Sequence, residues 1–549
     1  MFKCKQLLRR ICVVSYVFLL CGGLVNASNL VSKTNTLIGT QGNGWASGYL
    51  YPGATYPFGM VQFTPTYFTK QLGFVINQLS GAGCDHMGNF PTLPIAGALR
   101  VSPDSILNMQ TPVGKEIGTA GYYAATVDHS IRAELTVTER TGMARYTFSS
   151  KEKQGTVIIG GGVAATSIQV AAIKITGPHS CEGYAEGGAF CGIPTPYKVY
   201  FVAEFDADAE SFGTWKEERL HANHTFAEGS HSGVYFTFPL KEGNQAVQYK
   251  IGVSYVSVEN ARENLRVENP AWDFSAVRQA TQDKWNEYLG KIEVEGDNED
   301  RQMQFYTHLY RSLIHPNVCS DVNGEYMGAD SQVHKIARKF YTSFSNWDTY
   351  RTQTALIAML APEETSDIVM SHYLFAEQSG GGFPRWVLAN IETGVMQGDP
   401  TPILVANAYA FGARNYDPRT LLRTMRYGAE VPGANSQGVL TRPGLEQYLE
   451  KGYYDASILL EYTSSDFAIG RFALQACNDE PVCNWYTQRA MNWKNLFNKE
   501  TGWLQSRNED GSWKRYDADW RESTYKNYFW MVPYDLQGLI DSIGGKEAA

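Results

Sequence analysis

The segment Tyr249-Lys-Ile-Gly-Val253 decides the first half of the fold, because apolar residues at alternate positions are typical of a β-strand. Similar segments occur at Leu135-Thr-Val-Thr138, Val199-Tyr-Phe-Val202 and Val234-Tyr-Phe-Thr-Phe238. Gly, Pro, Asn and Ser separate these segments, as expected of turns. Many short strands at such spacing predict a β-sandwich. We therefore predict a β-sandwich domain over residues 28–265.

The pattern becomes helical after this domain. Residues 266–300 predict a helical linker, and one apolar stripe from Met303 to Ile314 predicts a helix that stops before Pro316. Eight further helical stretches follow, at 348–360, 366–379, 402–414, 418–427, 442–451, 456–476, 481–498 and 533–543. Such helices in antiparallel hairpins predict an α/α toroid over residues 301–549. A complete toroid needs more hairpins than these, so we predict a multidomain β + α chain whose toroid is incomplete at its C-terminus.

The first 27 residues have the organisation of a signal peptide. A basic start precedes an apolar stretch, and Val25-Asn-Ala27 satisfies the small-residue rule of signal peptidase. We expect cleavage after Ala27 and export to the periplasm or the medium. A lipid anchor on Cys21 is the weaker alternative, because Leu20 stands where lipoprotein signals have a small residue. No later segment is apolar enough to predict a transmembrane helix.

Charge and composition exclude some classes of partner. The formal net charge of −9 does not favour nucleic acids or anionic membranes. The chain contains 33 Tyr, 26 Phe and 12 Trp, which is consistent with aromatic platforms for the apolar faces of sugars. The sequence contains no phosphate-binding P-loop, no GxSxG nucleophile elbow and no zinc-ligand spacing.

Six cysteines lie outside the predicted leader. Two local disulfides are predicted in an oxidising compartment, because each pair brackets a short loop: Cys181 with Cys191, and Cys477 with Cys483. The remaining two, Cys84 and Cys319, are interpreted as buried thiols.

Glu522 is the leading candidate for catalysis. It lies between Trp520 and Tyr525, whose rings would desolvate its carboxyl group and raise its pKa towards that of a general acid. Asp517 and Asp519 are rivals on the same argument. A further alternative is that Glu522 makes an ordinary ion pair with a neighbouring basic residue.

Two other segments carry candidate sugar-binding residues. Trp347 could stack on a pyranose ring while Asp348 and Arg351 bind hydroxyl groups. The alternative for Asp348 is a structural one, as the N-cap of the helix that follows it. Arg385 and Trp386 lie in a loop after three glycines. They could line the active-site funnel that a toroid forms at its inter-helix loops, together with the segment of Trp347.

Two polar residues have mainly structural interpretations. Glu461 lies on a long predicted helix, where it either reaches the funnel or makes a polar contact between helices. His86 lies in a loop segment and is interpreted as a surface or hydrogen-bonded histidine rather than a ligand.

The chain resembles glycoside hydrolase family 92 over residues 30 to 545. The resemblance is carried by long collinear segments: Tyr51-Pro-Gly-Ala-Thr-Tyr-Pro-Phe-Gly-Met-Val-Gln62, Leu79-Ser-Gly-Ala-Gly-Cys84, Ser254-Tyr-Val-Ser-Val-Glu-Asn-Ala-Arg262, Asn346-Trp-Asp-Thr-Tyr-Arg351, Leu460-Glu-Tyr462 and Val532-Pro-Tyr-Asp-Leu-Gln-Gly-Leu-Ile540. The family consists of exported exo-α-mannosidases with a β-sandwich, a helical linker and an α/α toroid. The resemblance therefore implies a calcium-dependent, inverting α-mannosidase acting on mannan or N-glycans.

The resemblance also implies roles for particular residues. Asp535 matches the Asp of the family's Val-Pro-His-Asp segment, and Glu522, thirteen residues before it, then matches the family's general acid. Trp347 and Asp348 match a segment that forms part of the pocket for the terminal mannose, with Arg351, Arg385 and Trp386 as further sugar contacts.

The chain departs from the family at three places. Ile76 and Gln78 replace two histidines of the family's Gly-Phe-Ser-His-Thr-His-Leu-Ser segment. The residues after Glu522 also differ from the family's Trp-Gln-Tyr pattern. The family's calcium segment and its catalytic base are expected beyond Ala549, so no metal ligand is predicted within these residues. A catalytically inactive glycan-binding protein is therefore an alternative, as is another toroid enzyme such as a glycoside phosphorylase or a polysaccharide lyase.

Overall fold

The computed structural model describes residues 29–41, 49–65, 73–104, 113–242 and 245–549. The predicted signal peptide at residues 1–27 lies outside the described residues. Within the described ranges, no helix has the length and apolar character needed to cross a membrane.

The N-terminal domain consists of two large antiparallel sheets. Its strands are β1 Ala54–Thr55, β2 Gln62–Pro65, β3 Phe74–Val75, β4 Thr92–Ala96, β5 Val113–Thr119, β6 Tyr122–Val127, β7 Ile131–Val137, β8 Thr141–Thr147, β9 Gln154–Gly160, β10 Ile168–Gly177, β11 Ser180–Phe190, β12 Ile193–Phe205, β13 Ser211–Lys216, β14 Arg219–Ala222, β15 Phe226–Glu228, β16 Ser232–Pro239 and β17 Ala246–Ser254. One sheet has the order β1-β2-β3-β4-β9-β16-β13-β14, and the other has the order β15-β10-β11-β12-β17-β8-β7-β6-β5.

The two sheets share one apolar core, as a sandwich requires. Phe205 of β12 packs at ring-centroid distances of 5.0 Å from Phe236 and 5.4 Å from Tyr249. These rings come from β16 in one sheet and from β12 and β17 in the other. The prediction of an N-terminal β-sandwich is confirmed.

Strand β17 is buried on both faces, although its sequence alternates. The reason is helix α1, Val258–Glu268, which packs on the outer face of the sheet. Gly252 allows the close approach, since a Cβ atom there would lie 2.3 Å from the carbonyl oxygen of Ala261. Lys250 is also covered, and its Nζ donates to the carbonyl of Asn269 at 3.1 Å.

The rest of the chain is mainly helical. After α1 come α2 Phe274–Leu289, α3 Glu299–Ser312, α4 Asn346–Thr349, α5 Gln353–Leu360, α6 Pro362–Ser379, α7 Thr401–Ala410, α8 Pro418–Glu430, α9 Leu445–Lys451, α10 Ala456–Cys477, α11 Glu480–Ala490, α12 Tyr525–Tyr528 and α13 Leu536–Ser542. Short strands lie between them: β18 Asn317–Val318, β19 Glu325–Met327, β20 Val333–Lys335, β21 Tyr341–Thr342, β22 Phe344–Ser345, β23 Trp386–Leu388, β24 Ile391–Glu392, β25 Asn435–Ser436, β26 Val439–Leu440, β27 Phe497–Asn498 and β28 Trp503–Leu504.

The predicted helices of this half correspond to helices in the structure. The long helix α10 is buried along most of its length and contacts α7, α8 and α11, so it is an inner element of the helical domain. The predicted class, a β-sandwich followed by helical hairpins, is therefore confirmed.

The helix predicted at 348–360 is broken into α4 and α5, and the predicted N-cap is wrong. Asp348 lies inside the single turn α4, and its carboxylate accepts a hydrogen bond from the hydroxyl of Ser345. Helix α5 begins after Thr352 instead.

The predicted disulfides are also wrong. The structure joins Cys84 to Cys191 and leaves Cys181, Cys477 and Cys483 as buried thiols. Cys181 and Cys191 lie at opposite ends of β11, and an extended strand of that length keeps them about 30 Å apart. Cys191 instead lies at the tip of the β11–β12 hairpin, where it meets the loop of Cys84. Cys319 is a buried thiol, as predicted, whereas the same prediction for Cys84 is wrong because Cys84 forms the disulfide.

The junction between the domains is a buried polar cluster around Asp321. Its carboxylate accepts hydrogen bonds from Ser254 Oγ at 2.7 Å, Asn260 Nδ2 at 2.8 Å and Asn264 Nδ2 at 2.6 Å. Ser254 ends β17 and both asparagines lie on α1, so the cluster ties the sandwich and α1 to the loop that follows α3.

Candidate active site

A cavity of about 820 Å³ lies among α7, α10 and the segment around α12. Its lining is rich in aromatic and polar side chains and consists of Trp347, Tyr350, Arg351, Ile403, Ala406, Asn407, Ala410, Ser464, Phe467, Ala468, Arg471, Gln475, Arg521, Glu522, Ser523, Asn527, Tyr528, Trp530, Met531, Pro533 and Tyr534. An aromatic cleft with a few polar groups is the usual form of a small-ligand site.

The wall that contains Trp347 is fixed by its neighbour Asn346. The buried Asn346 side chain donates to Thr401 Oγ1 at 2.9 Å and to the carbonyl of Pro384 at 3.2 Å, which anchors α4 to the start of α7. Arg351 lies over two rings of the same wall, with its guanidinium carbon 5.4 Å from the centroid of Trp347 and 4.8 Å from that of Tyr350. Trp347 and Arg351 thus both line the cavity, and their contact with a sugar stays a prediction.

Behind this wall lies Glu461, a wholly buried residue of α10. Its carboxylate accepts hydrogen bonds from Trp347 Nε1 at 2.9 Å and Tyr350 OH at 3.3 Å, and Arg351 NH2 lies 3.5 Å away. Burial raises the pKa of Glu461 to about 7, while Arg351 acts in the opposite direction. The polar contact proposed for this residue is therefore present, and its partners belong to the cavity.

Glu522 also lines the cavity and lies in the segment between β28 and α12. Its backbone is in the left-handed region, with φ of 52°, which a non-glycine residue adopts at an energetic cost. The predicted desolvation is wrong: Glu522 is exposed, since Trp520 packs on Tyr528 and Tyr525 packs on Trp503.

The rival carboxylates are held elsewhere by basic side chains. Asp519 pairs with Lys514 at 2.8 Å, and Asp517 pairs with the exposed Arg515. Neither aspartate is among the residues that line the cavity.

Arg385, Trp386 and Asp348 do not line the cavity, so the structure does not bring them to Glu522. Arg385 is buried because its guanidinium donates to the carbonyl oxygens of Gly398 at 3.0 Å and Leu440 at 3.1 Å. Trp386 packs on Phe190 of the sandwich, with ring centroids 4.3 Å apart, and so belongs to the domain interface.

Several lining residues have no counterpart in the sequence predictions. Ser464, Phe467, Ala468, Arg471 and Gln475 follow the spacing i, i+3, i+4, i+7 and i+11 on α10 and therefore share one face. The signal available in the sequence was this spacing, together with two long polar side chains on a helix that is otherwise mostly apolar.

The two positions where the family has histidines are buried. Ile76 and Gln78 lie in the sandwich and are not part of the cavity wall. Two histidines, the buried His86 and the partly buried His315, accept hydrogen bonds from the backbone that follows these positions. His86 Nε2 accepts from the N–H of Leu79 at 2.9 Å, and His315 Nε2 accepts from the N–H of Ser80 at 2.9 Å. Both rings must be neutral to accept these bonds.

We expect these two histidines to make the folded protein less stable in acid. Burial lowers the pKa of His86 and of His315 from 6.5 to about 4. Between these values the unfolded chain binds protons that the folded chain does not, so the free energy of unfolding should fall as the pH falls from 6.5 to 4. Urea titrations across this range measure the slope. A His86→Gln, His315→Gln chain should show a smaller slope, and an unchanged slope would contradict the assignment.

The calcium ion that the resemblance implies would need a set of oxygen ligands. Across the described ranges, no group of three or more His, Cys, Asp or Glu side chains could hold a metal ion. No chemical step is therefore assigned to a metal.

The comparisons with known proteins agree with the fold. The model of the glycosyl hydrolase family 92 N-terminal domain matches residues 34–254, and that of the family 92 catalytic domain matches residues 260–549. A secreted glycosidase of Arthroderma benhamiae, described as uncharacterized, is 24% identical over 611 residues, which cover 94% of this chain and 72% of that protein.

Solved structures of this family are also similar. A family 92 α-mannosidase from Bacteroides thetaiotaomicron has 25% identity and a TM-score of 0.85, covering 94% of this chain and 73% of that one. Its complex with mannoimidazole gives 24% identity, a TM-score of 0.85 and coverage of 94% and 72%. An inverting mannosidase of the same bacterium has 25% identity and a TM-score of 0.85, covering 94% and 73%.

The two-domain fold and these matches define a glycoside hydrolase. The chain belongs to glycoside hydrolase family 92.

Proposed function

We propose that the protein is an exo-α-mannosidase that removes terminal α-linked mannose from glycans such as mannan or N-glycans. The observation that carries the proposal is the cavity in which Trp347 and Glu522 both line the wall of a family 92 catalytic domain. The α-mannosidase complex with mannoimidazole supports a mannose ligand for this class of site.

In this proposal some of the described residues bind the sugar and another donates a proton. The indole of Trp347 stacks on the apolar face of the terminal mannose, and Arg351 donates hydrogen bonds to its hydroxyl groups. Glu522 is the general acid, which donates a proton to the glycosidic oxygen as the bond to the leaving sugar breaks. A water molecule bonds to the anomeric carbon from the opposite face and gives its proton to a general base, a role assigned to none of the described residues. Its exposed position gives that oxygen access to the carboxyl group.

We propose further that hydrolysis inverts the anomeric configuration, a proposal supported by the inverting mannosidase that shares this fold. Calcium dependence is a separate proposal that the family resemblance alone carries. Incubation with a chelator tests it, and full activity after removal of calcium would exclude it.

Export is also proposed, from the pattern of residues 1–27 and the secreted description of the Arthroderma relative. N-terminal sequencing of the protein recovered outside the cytoplasm should show that the mature chain begins at Ser28. A chain that keeps Met1 and stays in the cytoplasm would contradict export.

The activity is tested with a panel of oligosaccharides. A protein that carries the family's catalytic base together with these residues should release mannose from α-mannosides and leave β-mannosides and α-glucosides intact. Proton NMR of the first product should show β-mannose, which then mutarotates. Initial α-mannose would exclude inversion. Binding without release would favour the inactive glycan-binding alternative, while phosphate-dependent cleavage or an unsaturated product would indicate a phosphorylase or a lyase.

A further inference from the structure

Glu461 is buried behind the cavity, but the side chains that it contacts line the cavity. Its side chain is 0% exposed, yet its hydrogen-bonding partners Trp347 and Tyr350, and the nearby Arg351, all line the cavity. Three different groups, an indole, a phenol and a guanidinium, thus meet one carboxylate. Glu461 itself is not part of the lining, so a ligand in the cavity would touch its partners and not the carboxylate.

We propose that Glu461 is a positioning residue, whose carboxylate fixes Trp347, Tyr350 and Arg351 as one rigid wall against which the terminal sugar binds. The identity of the sugar rests on the proposed function; the positioning of the wall does not. A side chain locked before the ligand arrives loses less conformational entropy on binding, so a fixed wall strengthens binding.

The packing around Glu461 leaves its side chain little freedom. Gly398 lies against it so closely that a Cβ atom there would be 2.6 Å from the Cβ of Glu461. The carbonyl of the same glycine accepts from Arg385 Nε at 3.0 Å. Arg385 therefore holds Gly398 in place against Glu461. This arrangement gives Arg385 a place in the site although it does not reach the cavity.

The charge of Glu461 matters for the same wall. The titratable and charged groups that face it are Arg351, Tyr350, Arg385 and Tyr528. When the carboxyl group is ionised, it accepts from the indole and the phenol and attracts the two guanidinium groups. Protonation removes the attraction to Arg351, whose position over the two rings would then be less restricted.

The test compares Glu461→Gln with Glu430→Gln in the full chain. Glu430 is a matched control, because it accepts from Tyr486 OH at 2.8 Å and Arg426 Nε at 2.8 Å, and these partners are not part of the cavity lining. Calorimetry should give a mannoimidazole Kd about tenfold weaker for Glu461→Gln, because glutamine keeps only one accepting oxygen and has no charge to attract Arg351. Glu430→Gln should bind as the parent chain does. Equal affinity of Glu461→Gln and the parent chain would overturn the proposal.

A second measurement needs no ligand and no variant at Glu461. In the chain labelled with ¹⁵N-tryptophan, the indole N–H resonance of Trp347, assigned with Trp347→Phe, should move as the pH falls from 9 to 4. The resonance of Trp285, whose Nε1 donates to the backbone carbonyl of Thr55 at 2.7 Å, should stay fixed. A Trp347 resonance without a titration would overturn the proposal. If the parent chain fails to bind mannoimidazole, the proposed function fails, and the resonance alone decides the role of Glu461.

Discussion

Replacing Glu522 by glutamine is expected to lower kcat/KM for natural α-mannosides by about 10²- to 10⁴-fold, the usual contribution of a general acid. Glutamine keeps the size of the side chain but has no acidic proton, so the sugar alcohol must leave as an alkoxide. With 4-nitrophenyl α-mannoside the loss should be much smaller, because nitrophenolate leaves without protonation. The ratio of the two losses therefore reports on proton donation.

Steady-state assays of both substrates measure that ratio. Asp517→Asn is the matched control, since Asp517 is a nearby carboxylate that pairs with the exposed Arg515 and lies outside the cavity lining. Its kcat/KM should match that of the parent chain on both substrates. An equal loss on both substrates for Glu522→Gln would indicate a binding or structural role and would contradict the assignment of the acid.

Replacing Asp466 by alanine is expected to lower the free energy of unfolding by about 3–5 kcal/mol, the usual cost of breaking a buried ion pair. Asp466 is wholly buried on α10 and accepts from Arg442 NH1 at 2.8 Å, Arg489 Nε at 2.7 Å and Tyr448 OH at 2.6 Å. Burial acts to raise the pKa of Asp466, but the guanidinium groups of Arg489 and Arg442 hold it below its usual value. Removal of the carboxylate leaves these groups buried with fewer partners.

Urea-induced unfolding, followed by circular dichroism, measures the loss. The same Asp517→Asn chain should unfold at the parent midpoint, because exposed ion pairs contribute little. Asp466→Ala should unfold at a clearly lower urea concentration with a similar slope. An unchanged midpoint would show that the buried network does not stabilise the helical domain.

The sequence predicted the architecture because each half has its own periodicity. Strand β17 and its neighbours alternate, and the stripe from Met303 to Ile314 repeats at helical spacing. The predictions were wrong for features that depend on tertiary packing. The pairing of Cys84 with Cys191 depends on which loops of the sandwich meet, and sequence spacing carries no information about that contact.

The candidate site was predicted in part. Trp347, Arg351 and Glu522 were singled out by residue type and by the family resemblance, and all three line one cavity. The supporting role of Glu461 was not predicted, because residues 347 and 461 come together only through the packing of α4 on α10. The interpretation of Trp520 as a ring over Glu522 failed because the ring packs on Tyr528 instead.

The central claim is that the cavity binds the terminal mannose of an α-mannoside. Its most direct test is calorimetric titration of the folded 549-residue chain with mannoimidazole, in parallel with Trp347→Ala. We expect one binding site in the parent chain and a Kd at least about tenfold weaker in the variant, because the stacking surface is lost. No binding by the folded parent chain, or equal affinity of the two proteins, would contradict the account.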